Sequence, residues 1–200
     1  SNTRKAVSHI SSIFYGNPSK DLTMIGITGT NGKTTTAYLT TKALINAGYK
    51  TAQIGTTGVI AKGLNINLNL TTPDAISLQR ILSKLKTNKF THIVMEVSSH
   101  SLDQFRVANI KFNIGVFTNL TPEHLDYHSS MEKYYQAKSK LFKNLKKTDL
   151  AIINNDNESG KRLLSNLQSR VLLFSKNNNK DAIYFSTCNL SIDGIKGNIK

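Results

Sequence analysis

The chain is 200 residues long, 38% hydrophobic, 19% charged and 8% aromatic, with three prolines, a composition that excludes the disordered and fibrous classes and can bury a real core. Its one cysteine, Cys188, excludes an internal disulfide and a four-cysteine zinc module, and fits a reducing, cytoplasmic setting. The formal charge of +14 invites a nucleic-acid partner.

From Arg4 to Tyr15, Val7, Ile10, Ile13 and Phe14 recur at helical spacing, and Gly16-Asn17-Pro18-Ser19 stops the helix. Leu22 to Thr28 reads as a buried strand, followed by a Gly-rich turn and a helix from Lys33 to Asn46 that ends before Gly48. Thr51 to Ile54 is a further strand, and Gly58 to Leu70 alternates around Gly63 as a small hairpin. Pro73 opens a helix whose apolar face is Ile76, Leu78, Ile81, Leu82 and Leu85. His92 to Val97 and Ile114 to Phe117 read as buried parallel strands. Met131 to Leu145 is helical, Leu150 to Ile153 and Val171 to Phe174 are strands around a helix near Glu158 to Leu167, and Ile183 to Ile199 alternates as short antiparallel strands. This rhythm predicts one α/β domain: three layers, P-loop-like, with a mainly parallel sheet and a small antiparallel portion. No run approaches the roughly 18 apolar residues of a membrane span, and the start SNTRKAVSHI has no apolar signal core.

Arginine occurs only at 4, 80, 106, 162 and 170, and lysines are scattered among asparagines such as Asn177, Asn178 and Asn179. Nucleic-acid sites favour clustered Arg with stacking aromatics, so the charge reads instead as a solvated surface or as an attraction for a polyanionic small substrate. We expect no nucleic-acid or membrane partner, and a monomer.

The sharpest signal is MIGITGTNGKTTT, an apolar strand that runs through Gly29-Thr30-Asn31-Gly32-Lys33-Thr34-Thr35 straight into a helix. Glycines let backbone N–H groups turn inward around an anion, Lys33 adds a point charge, the helix adds its dipole, and the Thr34 hydroxyl suits Mg²⁺. The strict G-x-x-x-x-G-K-[ST] pattern wants glycine where Ile27 stands, so only the GTNGKT core is present. Glu96 ends an apolar strand, either facing ligands at the sheet's C-terminal edge or simply solvated. His124, Asp126 and His128 alternate, so an extended backbone would put them on one side, as metal ligands or as loop caps. Lys138 lies mid-helix, where a lysine is ordinarily a surface residue. Tyr127, Tyr134 and Tyr135 read as packing residues.

GTNGKTTT resembles the ATP loop of the Mur ligases. Three more segments are similar to the members that add the third residue to the UDP-N-acetylmuramoyl peptide (the MurE type): LTTPD at Leu70 to Asp74, MEVSSHSLDQFRV at Met95 to Val107, and FTNLTPEHLDYHSSMEKYYQAKSKLF at Phe117 to Phe142. The resemblance implies an ATP- and Mg²⁺-dependent amide ligase that activates a carboxylate as an acyl phosphate. Its substrates would be UDP-N-acetylmuramoyl-L-alanyl-D-glutamate and a third amino acid, diaminopimelate or lysine. It implies that Gly29 to Thr35 hold the nucleotide, that Thr34 and Glu96 hold Mg²⁺, and that His124 touches a second Mg²⁺. Lys138 would be carbamylated into an anionic metal ligand, and Lys33, Glu96, His124 and Lys138 would form the catalytic set. Thr71, Thr72, Ser98, Gln104 and Arg106 would meet the sugar-peptide substrate, Arg106 through its bidentate fork; Leu70 stands where the family often carries Asn. Folylpolyglutamate synthases share the GTNGK core and form one alternative. A basic P-loop nucleic-acid module is another, though neither an apolar run ending in Asp nor an Arg-rich surface is evident. Complete family enzymes carry an N-terminal UDP-sugar domain and a C-terminal amino-acid domain, and neither fits here. Residues 1–200 are therefore expected to be a central ATP-binding domain unable to complete ligation alone.

Overall fold

The protein is described by a computed structural model covering residues 2–176, 181–191 and 194–199; Asn177, Asn178 and Asn179, and Ile192 and Asp193 within the predicted C-terminal alternation, lie outside the described residues. In chain order the elements are α1 (Thr3–Phe14), a 3-10 turn (Pro18–Lys20), β1 (Thr23–Thr28), α2 (Lys33–Asn46), β2 (Thr51–Gly55), β3 (Gly58–Ala61), β4 (Leu64–Ile66), α3 (Ala75–Thr87), β5 (His92–Glu96) and α4 (Ser99–Asp103). There follow β6 (Ile114–Phe117), α5 (Leu125–His128), α6 (Met131–Lys143), β7 (Leu150–Asn154), α7 (Glu158–Leu164), β8 (Arg170–Ser175), β9 (Ile183–Ser191) and β10 (Gly194–Ile199).

The strands form one sheet in the order β10-β9-β8-β7-β6-β1-β5-β2-β3-β4. Neighbours from β9 to β2 run parallel, while β3 and β4 at one edge and β10 at the other are antiparallel. This is the predicted architecture. The central strands are apolar on both faces because helices cover both. Met24 belongs to the larger core with Leu78 and Leu82 of α3 and Leu141 and Phe142 of α6, whereas its neighbours Ile25 and Ile27 join Ala37 of α2 on the other side. β1 sits mid-sheet between β5 and β6, so its C-terminal end opens where the chain's crossovers change direction, the place where such sheets bind ligands.

Two glycines determine how closely α6 approaches. Gly26 and Gly115 are register partners on β1 and β6. A Cβ on Gly26 would lie 2.7 Å from the Phe112 ring and 3.2 Å from Leu141, and one on Gly115 would lie 3.1 Å from both Phe142 and Leu145. The paired absence of side chains makes a depression in the sheet that seats the C-terminal half of α6.

α1 forms where its periodicity predicts but turns the other way. Ile10 is 65% exposed and Phe14 79%, while Ser8, Ser11 and Ser12 are buried. The small serines let α1 lie against its neighbours, and the Ser8 hydroxyl accepts from Asn109 while that of Ser12 donates to Asn17. Periodicity identified the helix but not its inner face. In α3, by contrast, Leu78, Ile81, Leu82 and Leu85 are buried as expected and only Ile76 of the predicted face is exposed. Among the described residues no helix is long and apolar enough to cross a membrane.

Gly26→Ala should destabilise the fold by about 1–3 kcal/mol in urea denaturation, because the added methyl overpacks the seat of α6. A change below about 0.5 kcal/mol would show that α6 is not held at this distance.

Candidate active site

The loop Gly29 to Gly32 follows β1, and α2 starts at Lys33 with Gly32 as its N-cap at φ 83°. Gly29 has φ 151°, and a Cβ there would coincide with the Thr118 hydroxyl; only glycine permits this approach. The loop is laced to the segment after β6. Thr30 N–H donates to the Asn119 carbonyl (3.0 Å), Asn31 N–H to Asn119 Oδ1 (2.9 Å), and the Thr118 hydroxyl to the Asn31 carbonyl (2.7 Å). Thr30 Oγ1 donates to the Thr121 carbonyl and accepts from Thr121 N–H. Thr35 is exposed on the first turn of α2.

Lys33 curls back so that Nζ donates to the carbonyls of Gly29 (3.0 Å) and Thr30 (2.7 Å). Burial pushes its ammonium below the ordinary lysine range, and Glu96 and Glu123 oppose that shift. Lys138 corrects the surface expectation for a mid-helix lysine: it is 2% exposed, it donates to the same Gly29 carbonyl at 2.8 Å, and its ammonium lies 4.5 Å from the centre of the Tyr134 ring. Burial, aided by the charge of Lys33, lowers its pKa to about 7.

Glu96 is fully buried, so the solvated alternative fails. One carboxylate oxygen accepts from Thr34 Oγ1 (2.8 Å) and Thr56 Oγ1 (3.3 Å), the other from Thr56 N–H (3.0 Å). A Cβ on Gly55 would strike this carboxylate, so the bare end of β2 makes its room. Thr72 is also buried, and its hydroxyl donates to the Glu96 carbonyl and accepts from Ser98 N–H, stapling the end of β5. Thr71 meets Thr56, hydroxyl to hydroxyl, at 3.1 Å.

A cavity of about 320 Å³ is lined by Lys33, Thr71, Thr72, Ser98, Arg106, His124 and Lys138, with Leu70, Ser99, His100 and Tyr134. It thus gathers residues predicted from four separate segments. Gln104 stands behind Arg106 and accepts from its Nε (3.0 Å) and Nη2 (2.5 Å), and Arg106 Nη1 donates to the Thr72 carbonyl. Glu96 and Thr34, bonded to each other, do not line it.

The alternating trio is corrected. Residues 125–128 form α5 rather than extended backbone, with His124 at φ 55° before it. His128 turns inward, where its Nε2 pairs with Ser99 Oγ at 2.9 Å, and the His124 ring meets the His100 ring edge-on. Among the described residues no three His, Cys, Asp or Glu side chains converge on one point. Tyr134 and Tyr135 are buried as packing residues, though Tyr134 also lines the cavity; the Tyr127 hydroxyl is wired to Asp103 and Gln104 instead. Thr56 and His100 escaped the sequence reading, which took Tyr134 for packing alone; only the position of Thr56 at a strand end beside Gly55 could have signalled it.

Residues 27–199 match the Mur ligase middle domain. The chain belongs to the Mur ligase family. A protein of Geobacter metallireducens named UDP-N-acetylmuramoyl-L-alanyl-D-glutamate–2,6-diaminopimelate ligase is 40% identical over 202 residues, covering 98% of this chain and 39% of that protein. A solved structure titled with the same ligase name superimposes with a TM-score of 0.83 at 30% identity, covering 98% of this chain and 41% of that one. A Mycobacterium tuberculosis folylpolyglutamate synthase complexed with ADP superimposes with a TM-score of 0.74 at 15% identity over 97% of this chain and 50% of that one, a likeness of fold alone. This Mur ligase chain spans between 27% and 39% of the length of the curated relatives it matches most strongly.

The Lys138 pKa carries a prediction. Between about pH 7 and the ordinary lysine value of 10.5 the folded chain holds this amine neutral while the unfolded chain binds a proton, so stability rises with pH across that window. In CO₂-depleted buffer the stability of wild type relative to Lys138→Met should therefore increase between about pH 7 and about pH 9.5, by up to roughly 3 kcal/mol. A difference that does not change with pH would show that the lysine titrates normally.

Proposed function

We propose that this domain binds Mg²⁺-ATP for a ligase that adds the third amino acid to UDP-N-acetylmuramoyl-L-alanyl-D-glutamate, diaminopimelate being the amino acid in its relatives' names. The observation that carries the proposal is the cavity that unites the phosphate loop with Arg106 and Lys138. The residues suit the nucleotide and the metal: a loop whose Gly29 leaves no room for a Cβ against Thr118 and whose Gly32 takes a positive φ beside open space, the N-terminus of α2, and a buried carboxylate paired with a hydroxyl.

Within Gly29 to Thr35, whose Thr30 and Asn31 N–H groups are bound to Asn119, the N–H groups at the start of α2 would hold the phosphates, with Lys33 turning from the loop carbonyls toward their charge. Thr34 and Glu96 would hold Mg²⁺, and His124, at the cavity wall, would serve a second ion. ATP when bound supplies the phosphoryl group that activates the acceptor carboxylate as an acyl phosphate, and Mg²⁺ neutralises the charge in that transfer. Arg106, fixed by Gln104 and Thr72, would orient the acceptor with Thr71, Thr72 and Ser98. Holding the carboxylate beside the phosphates is the domain's part of the rate.

Lys138 would be carbamylated: its amine attacks CO₂, a C–N bond forms and a proton leaves, turning a buried cation into an anionic metal ligand. The lowered pKa favours the reactive neutral amine. The affinity of the folylpolyglutamate-type alternative rests on fold alone, and the loop and cavity need no nucleic-acid partner. We further propose a cytoplasmic monomer.

Calorimetry tests the nucleotide half. Lys33→Ala should weaken Mg²⁺-ATP binding by at least about tenfold, and unchanged affinity would remove the loop from the site. In a ligase carrying all of the family's domains, Lys138→Ala should abolish tripeptide formation and added short-chain carboxylic acids should partly restore it. Full activity without them would return Lys138 to an ordinary buried lysine.

A further inference from the structure

We propose that Tyr127 is a positioning residue for the Arg106 guanidinium, acting through the amide of Gln104. The inference rests on the assignment of Arg106 to the acceptor substrate.

Five side chains form one hydrogen-bonded line from the rim of α6 to the cavity. Lys140 Nζ donates to Asp103 Oδ1 (2.8 Å), and the Tyr127 hydroxyl donates to Asp103 Oδ2 (3.1 Å). Gln104 Nε2 donates to the Tyr127 oxygen (3.1 Å), while Gln104 Oε1 accepts from Arg106 Nε and Nη2. The Lys140 hydrogen bond holds the Asp103 carboxyl below the usual carboxylate range, so it remains an acceptor only.

That acceptor sets the polarity of the whole line. A carboxylate takes the single proton of Tyr127, so toward Gln104 the tyrosine oxygen can only accept and must face Nε2. The carbonyl end of the amide then faces Arg106, which has only donors to offer. Three of the guanidinium's five N–H groups go to Gln104 and Thr72, and two remain for a ligand. Nothing in the motif-level reading assigned Tyr127 this task; it came from HLDYH as a packing residue. Its ring does pack, 4.2 Å from that of His100, which keeps the hydroxyl on line.

Two nearly isosteric substitutions attack the line from outside the cavity. Tyr127→Phe leaves Gln104 Nε2 without its partner. In Asp103→Asn, Lys140 draws the new amide's oxygen, its NH₂ faces Tyr127, and the tyrosine proton loses its acceptor, so the polarity is frustrated with no atom added or removed from the heavy-atom frame.

The test uses the 200-residue chain labelled with ¹⁵N, in which Arg106 is one of five arginines. Solvent exchange of Arg106 Nε–H should be about fivefold to tenfold faster in both variants, and in a ligase carrying all of the family's domains the affinity for UDP-N-acetylmuramoyl-L-alanyl-D-glutamate should fall by a similar factor. Mg²⁺-ATP affinity should stay unchanged, a separation that general damage to the fold would not give. Unchanged exchange in either folded variant, faster exchange with unchanged dipeptide affinity, or parallel loss of ATP and dipeptide binding would each overturn the proposal. In that ligase, unchanged dipeptide affinity in Arg106→Ala would overturn the acceptor assignment itself, and the positioning role with it, whereas a loss in Arg106→Ala leaves that assignment standing.

Discussion

Two lysine amines converge on one backbone oxygen, the carbonyl of Gly29, from Lys33 one helical turn downstream and from Lys138 on a separate helix. That convergence requires β1 to end at the middle of the sheet, Gly29 to lie against Thr118, and α6 to sit low on the sheet. Gly26 and Gly115 make the last of these possible. The buried carboxylate of Glu96 is committed to Thr34 and Thr56. Burying the two amines side by side carries a cost: burial first, and the charge of Lys33 second, lower the Lys138 pKa to about 7. A polyphosphate relieves it, which gives one physical reason for the fold to hold the nucleotide at this place.

The two sides of the cavity are built differently. On the nucleotide side, backbone and small side chains do the holding, and the tolerances are those of a missing Cβ. On the opposite side, long polar side chains reach inward from the segment after α4, and their placement depends on hydrogen-bond direction rather than on sterics. Thr72 belongs to both sides, since its hydroxyl staples β5 while its carbonyl receives Arg106.

Much of this was legible in the sequence, because strand and helix periods and the glycine-lysine-threonine turn are local properties. The ten strands' alternation with helices, the phosphate loop and the gathering of Thr71, Ser98, Arg106 and Lys138 followed from motifs. What stayed hidden depends on distant partners. α1 buries its serines because Asn17 and Asn109 satisfy them, which no moment along the helix reveals. Lys138 is 2% exposed on a helix whose Leu141 and Phe142 are seated over glycines more than twenty residues away on two strands. His124 to His128 alternate like a strand, yet α5 is a helix, and the role of Tyr127 appears only once Asp103 and Gln104 stand beside it.

A crystal structure of this chain with a non-hydrolysable ATP analogue and manganese tests the central claim most directly. The triphosphate should lie at the Gly29 to Thr35 loop over the first amides of α2, with Lys33 turned from the loop carbonyls to the phosphates and anomalous manganese density bonded to the Thr34 hydroxyl or the Glu96 carboxylate. Nucleotide or metal bound elsewhere, with Lys33 and Lys138 still on the Gly29 carbonyl, would contradict it.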